Sequence, residues 1–206
     1  DKKIAFIGSG TMAEAMIRGL LDQEVATPAQ IIASDPWDAR LKYLKERYNI
    51  PTTSDNASAA EDGQIVVFSF KPQNLEAVMP SVRGRLRRQD LLISIVAGVP
   101  IQKLANGVAH TAVVRAMPNT PAQIGQGITV WTGTAEISDL HKEQAQAILG
   151  SLGEEIFMGE ERYLDMATAL SGSGPGYVFM MMEAMIDAGV HMGFSRHVAE
   201  QLVTQT

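Results

Sequence analysis

Lys3 leads into the short apolar run Ile4 to Ile7, and from Thr11 the residues Met12, Met16, Gly19 and Leu20 recur on one face at helical spacing. This predicts a strand over Lys3–Ile7 followed by an amphipathic helix over Thr11–Gln23. The alternation continues with a strand at Ile31–Ser34 and a helix at Asp38–Tyr48 bearing Leu41, Leu44, Lys45 and Tyr48. Ile65–Phe70 and Leu91–Val96 are near-continuous apolar runs, each with a single serine, the pattern of strands covered on both faces. Further strands are predicted at Ala112–Arg115, Ile128–Trp131 and Glu155–Met158, with Ser138 placed to cap the helix before the last of them. Strand–helix alternation of this kind predicts an α/β fold, a mostly parallel sheet wrapped by helices.

The pattern changes near Glu160. Residues 160–206 carry helical signals only, over Arg162–Leu170, Pro175–Met192 and from Arg196 onward. Pro175 suits a first helical turn, and Gly193 with Ser195 marks a stop and a restart. The predicted division is therefore 1–159 and 160–206. A helical segment of about 45 residues is small for a core of its own, so it is expected to be the incomplete start of an all-helical second domain. Either further chain or a second molecule would complete it. No internal repeat or low-complexity segment interrupts the pattern.

Composition narrows the function classes. Of the 206 residues 46% are hydrophobic and 19% charged, and no apolar run approaches the roughly 20 residues of a membrane span. Lys2-Lys3 lead straight into the first strand, unlike a secretory leader. Cysteine is absent, which removes disulfide and thiolate chemistry and makes a cytoplasmic location the expectation. A net charge of −6 argues against a nucleic-acid surface, and the interrupted basic run Arg83–Arg88 reads as a solvated loop. Neither a membrane nor a nucleic acid is expected as partner.

Candidate chemistry starts at Gly8-Ser9-Gly10-Thr11-Met12-Ala13, between the first strand and its helix. The two glycines allow a sharp turn and close approach of a ligand, and the helix then aims free N–H groups and its positive end at that ligand. A pyrophosphate meets those requirements; a tight turn that merely packs is the plainer alternative. At the end of the second strand, Asp35 in Ser34-Asp35-Pro36 suits an adenosine ribose and opposes a 2′-phosphate. It stands one position late, however, and Pro36 could turn it aside. Ser34, with Arg40 or Lys42 nearby, could instead accept the phosphate, so the sequence leaves NADPH against NADH open.

Three further segments end strands or open helices. Ser69-Phe70-Lys71-Pro72 closes a buried strand with a cation where α/β sheets bind ligands, or simply carries a surface lysine. Arg115 to Ala122 is a loop stiffened by Pro118 and Pro121, a substrate wall or an ordinary rigid connection, with Asn119 and Thr120 as its central polar side chains. Ser171-Gly172-Ser173-Gly174 precedes the longest helix, as an anion site or a tightly packed helix start. Met180, Met181, Met182, Met185 and Met192 cover more than one helix face, which suits burial or a subunit contact. The four histidines are scattered, and neither a metal set nor a nucleophile–base pair is visible, so a cofactor is expected to supply the chemistry.

Taken in order, "IAFIGSGTMAEAMIRGL", "ASD", "FKPQNL", "SIVAGV", "VVRAMPNTPA", "GQGIT" and "LSGSGPGYVF" resemble the pyrroline-5-carboxylate reductase family along the whole chain. The resemblance implies a Rossmann-type dinucleotide-binding domain over 1–159 and a helical dimerisation and substrate domain from 160. It implies reduction of (S)-1-pyrroline-5-carboxylate, a cyclic imine carboxylate, to L-proline by NADPH or NADH, in a homodimer or larger homo-oligomer joined through the C-terminal helices. The implied cofactor residues are Ile7, Gly8, Ser9, Gly10, Thr11 and Met12 at the pyrophosphate. Ser34, Asp35, Pro36 and Asn56 fall at the adenosine, and Ser69, Phe70, Lys71, Pro72, Ala97 and Gly98 toward the nicotinamide. Asn119, Glu161, Ser171, Gly172, Ser173 and Gly174 fall on the substrate side. The family carries a later Ser-Pro-Gly-Gly-Thr-Thr-like loop, before which this chain stops. Asp35 stands where a residue friendlier to the 2′-phosphate is common.

A pyrroline imine takes its proton from solvent or a weak donor, so no catalytic side chain and no metal is expected within residues 1–206. A hydroxyacid dehydrogenase, which needs a base such as a lysine on the long helix, is disfavoured because Pro175–Met192 contains none. Another Rossmann-type imine-reducing dehydrogenase and a non-catalytic dinucleotide-binding module are the remaining alternatives.

Overall fold

The structure, a computed structural model, describes residues 2–206. Its elements run β1 (Ile4–Ile7), α1 (Thr11–Asp22), β2 (Ile31–Ser34), α2 (Asp38–Tyr48), β3 (Thr52–Thr53), α3 (Asn56–Asp62), β4 (Ile65–Phe68), α4 (Leu75–Val82), β5 (Leu91–Ser94), α5 (Ile101–Val108), β6 (Val113–Met117), β7 (Gly127–Gly133), α6 (Asp139–Gly150), β8 (Gly153–Phe157), α7 (Arg162–Ala167), α8 (Gly174–His191) and α9 (Arg196–Gln205). One sheet holds all the strands in the order β3-β2-β1-β4-β5-β6-β7-β8. The first six are parallel, β7 runs antiparallel to β6, and β8 is parallel to β7. The order 3-2-1-4-5-6 is the Rossmann arrangement, as expected from the alternation.

Side chains of successive strand residues point to opposite faces, which explains the near-continuous apolar runs. Ile4, Phe6, Ile65, Val67, Leu91 and Ile93 face one side, against Met16, Ile17 and Leu20 of α1 and Ile148 and Leu149 of α6. Ala5, Ile7, Val66, Phe68 and Leu92 face the other, against Leu75, Met79 and Val82 of α4 and Leu104 and Val108 of α5. All these residues are buried.

Strands β4 and β5 stop two residues short of their predicted ends. After Phe68 the main chain turns onto β1, where the Ser69 N–H donates to Ile7 O at 3.0 Å and its hydroxyl to Gly8 O at 2.6 Å. After Ser94 that residue's own hydroxyl accepts the Val96 N–H, and the chain leaves the sheet. Ser138 caps α6 as predicted, accepting the His141 N–H.

Beyond β8 only helices follow. Leu164 is buried and seats α7 on the sheet, while residues Thr168–Gly172 widen into a π-helical turn instead of continuing the predicted α-helix. The interior of α8 has no buried residue. Phe179, Met180 and Met181 are 64–70% exposed; the helix packs along α9, where a Cβ on Gly189 would lie 3.0 Å from that of Ala199, and at its start against the Thr168–Gly172 turn, where the Tyr177 hydroxyl donates to Ala169 O. A helix apolar on more than one face, with that surface exposed, needs cover. No described helix is long and apolar enough to cross a membrane.

Candidate functional site

The strand order reverses between β1 and β4, and open α/β sheets bind ligands in the crevice outside the strand ends at such a point. The turns after β1 and β4 meet there. Gly8 adopts φ +85, and a Cβ on it would sit 2.7 Å from Phe70 Cβ and 2.8 Å from the Phe70 main chain. Only glycine allows both the left-handed backbone and that approach. Two residues on, Gly10 begins α1 with no side chain capping it, and a Cβ there would meet nothing within 4 Å. Ala13, at the third position of the motif, is fully buried against the sheet. The first turn of α1 therefore opens its N–H groups, from Gly10 through Thr11 and Met12, onto free space, which fits an anionic ligand.

The end of β2 closes over the same turn. Asp35 is not turned aside by Pro36: its Oδ2 accepts the Ser9 N–H at 2.9 Å and its Oδ1 the Trp37 N–H at 3.0 Å. Ser9 itself is buried, its hydroxyl donating to Ser34 O. Ser34 is fully buried too, and its hydroxyl donates to Asn56 Oδ1 at 2.7 Å. Its hydroxyl is thereby engaged inside the protein and not presented to solvent. Arg40 donates to Ser9 O at 2.5 Å and Gly10 O at 3.1 Å, and pairs with Glu14 at 2.7 Å. Lys42 pairs with Glu46 along α2 at 3.8 Å.

Glu14 also accepts from the hydroxyls of Tyr48 and Tyr43 at 2.8 and 3.0 Å. Burial pushes its carboxyl up, but the hydrogen bonds from Tyr48, Arg40 and Tyr43 outweigh that and hold it below its ordinary value. A depressed value in the folded state stabilises the protein above the unfolded-state value and is lost as pH falls through the carboxylate range. Glu14→Gln is therefore expected to flatten the loss of stability below about pH 5, read by melting temperatures across a pH series.

The remaining turns lie on the same edge of the sheet. Lys71 and Pro72 are exposed after β4, with Lys71 starting the short turn Pro72–Asn74. Ala97 and Gly98 (φ +72) are exposed after β5. Asn119 follows β6, where its Oδ1 accepts the Ile128 N–H at 2.9 Å and so ties the proline loop to β7. A Cβ on Gly172 would lie 3.1 Å from Met117 Cε, which brings the Ser171–Gly174 turn against the same loop. The hydroxyls of Ser171 and Ser173 donate to Ala167 O and Thr168 O within their own turn, leaving backbone as the groups that turn presents.

Glu161 has a different place from the one expected of a substrate contact. Its Oε1 accepts from Arg115 Nη1 at 2.7 Å and from the Ile101 N–H, at the start of α5, at 2.8 Å. Arg115 Nη2 reaches Asp165 at 2.8 Å. This three-way junction joins β6, α5 and α7. The sequence reading missed it, although a cation inside the apolar strand VVRAM signals a buried partner. Among the described residues no cluster of three or more His, Asp or Glu side chains is arranged to hold a metal.

A family model described as NADP oxidoreductase, coenzyme F420-dependent, matches residues 3–98, and one described as pyrroline-5-carboxylate reductase dimerisation matches residues 161–206. The chain is 40% identical to the pyrroline-5-carboxylate reductase of Pseudomonas aeruginosa over 205 residues, 99% of this chain and 75% of that protein. It is 37% identical to that of Synechocystis over 204 residues, 99% of this chain and 76% of that one. The solved pyrroline-5-carboxylate reductase of Coxiella burnetii superposes with a TM-score of 0.90 at 31% identity, covering 99% and 76% of the two chains. The Plasmodium falciparum enzyme, solved with NADP bound, superposes at 0.86 with 30% identity, covering 100% and 75%.

Proposed function

The chain belongs to the pyrroline-5-carboxylate reductase family, and from that premise we propose that it reduces 1-pyrroline-5-carboxylate to L-proline with NADPH or NADH, the last step of proline synthesis. The proposal includes a cytoplasmic homodimer or larger homo-oligomer. The observation that carries it is the uncapped, open start of α1 at Gly10, reached through a turn that Gly8 alone permits. Residues 1–159 form the dinucleotide-binding part in this reading, and 160–206 belong to the dimerisation and substrate part. The exposed apolar surface of α8 supports a second copy of the chain as its cover.

When bound, the dinucleotide supplies the hydride. The protein's share is position and electrostatics. The turn from Ile7 to Met12 holds the pyrophosphate through the open N–H groups of Gly10, Thr11 and Met12, helped by the positive end of α1, while the N–H groups of Gly8 and Ser9 are bonded to Ser34 and Asp35. Asn56, itself held by Ser34, borders the adenosine beside Asp35 and Pro36. Ser69, Phe70, Lys71 and Pro72, with Ala97 and Gly98, border the nicotinamide half, where Lys71 adds positive charge. Asn119, with its oxygen held by β7, keeps its amide N–H groups for the substrate, and the turn Ser171–Gly174 walls the other side. Glu161 acts from behind, by placing that wall.

The test is loss of reduced-nicotinamide absorbance with pyrroline-5-carboxylate, run beside a dinucleotide titration of the homo-oligomer. Turnover with proline as product is expected. Saturable dinucleotide binding with no turnover of the imine would sink the reductase reading and leave a binding module.

A further inference from the structure

We propose that this chain selects NADH over NADPH, and that Asp35 is the residue that selects. The inference rests on the dinucleotide reading above and specifies its adenosine end.

Four observations meet at the end of β2. First, the Asp35 carboxylate is fixed in place: one oxygen accepts the Ser9 N–H, inside the glycine turn, and the other accepts the Trp37 N–H. Each oxygen keeps acceptor capacity beyond that bond, and the residue is only partly buried. A negative group held against the pyrophosphate turn suits the paired hydroxyls of an unphosphorylated ribose. Second, the cation best placed to receive a 2′-phosphate is already engaged. Arg40 spends its guanidinium on the carbonyls of Ser9 and Gly10 and on Glu14, with both partners of that ion pair four-fifths buried. Third, Lys42 lies a turn along α2, paired with Glu46 and mostly in solvent. Fourth, the small hydroxyl that could have received the phosphate, that of Ser34, is sealed inside against Asn56. Asp38, exposed in the first turn of α2, adds a second negative charge to this corner.

A 2′-phosphate carries close to two negative charges at neutral pH. It would enter beside a fixed carboxylate, with the nearest guanidinium already neutralised. Like charges brought together without a counter-charge are strongly unfavourable. A ribose hydroxyl in the same place gains a charge-assisted hydrogen bond instead. The discrimination therefore has an attractive side and a repulsive side, and both come from one side chain.

The measurement is the dissociation constant of NADH and of NADPH for the unaltered homo-oligomer, by calorimetry or fluorescence at one ionic strength. NADH is expected to bind tighter by about tenfold or more. Adenosine 5′-monophosphate against its 2′-phosphorylated counterpart should repeat the contrast without the nicotinamide half. Asp35→Ser removes the charge and keeps a small acceptor for the Ser9 N–H; Asp35→Asn is the near-isosteric second variant. Either is expected to move the NADH:NADPH ratio toward NADPH by about tenfold. NADPH binding as tightly as NADH overturns the proposal while the dinucleotide reading stands. So does a ratio unmoved by both variants. Failure of both dinucleotides to bind removes the underlying reading, and this inference with it.

Discussion

Gly8→Ala is expected to cost about 2–4 kcal/mol of stability and to lower the melting temperature by roughly 5–15 °C, whether or not dinucleotide is present. Two effects add. The backbone at φ +85 is one that an L side chain adopts only under strain. The new methyl would also lie 2.7–2.8 Å from Phe70 Cβ, Cα and N. Those are backbone and near-backbone atoms of the turn after β4, anchored by the Ser69 bonds to Ile7 and Gly8, so they cannot swing away. Gly10→Ala is the control. Its φ of −69 is ordinary and its Cβ would enter open space, so the fold should melt within about 1 kcal/mol of the parent. Its methyl would nevertheless occupy the groove in which the pyrophosphate is placed, and dinucleotide affinity is expected to fall by about tenfold or more, near 1.4 kcal/mol. Equal stability of the two variants would contradict the packing argument. Undiminished affinity of Gly10→Ala would contradict the site.

The parts of this fold that sequence reasoning reached are those whose signal is local. Strand β1, its glycine turn and α1 follow from a few adjacent residues, as do the buried runs of β4 and β5. The direction of β7 does not, because Ile128–Trp131 reads as a strand in either sense; only pairing with β6 decides it. The crossover helices escaped for separate reasons. In α3 the run NASAAED buries only Ala59 and Ala60, so no large apolar stripe marks it. In α4 a proline interrupts a single pair of turns. The third, α5, did carry a stripe in Ile101, Leu104 and Val108, and the reading passed over it. At the site, the main-chain groups were legible from the glycines, but side-chain commitments were not. Nothing near Ser34 in sequence reveals that its hydroxyl turns inward to Asn56, 22 residues on. Arg115 and its partners lie 46 and 50 residues apart, beyond the reach of any spacing rule.

Those partners should not contribute equally. Arg115 is 7% exposed, Glu161 35% and Asp165 73%. An exposed carboxylate is screened by water, so Asp165→Asn is expected to change stability by no more than about 0.5–1 kcal/mol. Glu161→Ala leaves a buried guanidinium with one solvent-facing partner and strips the Ile101 N–H of its acceptor. About 3 kcal/mol is expected, near the low end for breaking a buried pair because the carboxylate is partly wet. Glu161→Gln retains an oxygen for both donors and should fall between the two. The consequence for turnover follows from position. Ile101 opens α5 just past Ala97–Gly98, and Glu161 opens α7, the helix that leads into the Ser171–Gly174 turn, so in the proposed site one carboxylate would tie the nicotinamide border to the substrate wall. Misplacement by about 1 Å in such a site costs on the order of a hundredfold in rate. Glu161→Ala is therefore expected to keep dinucleotide affinity within a few-fold of the parent while kcat drops far more, with Glu161→Gln recovering most of it. A parallel fall in affinity and turnover, unrelieved in Glu161→Gln, would mean that the junction only stabilises the fold.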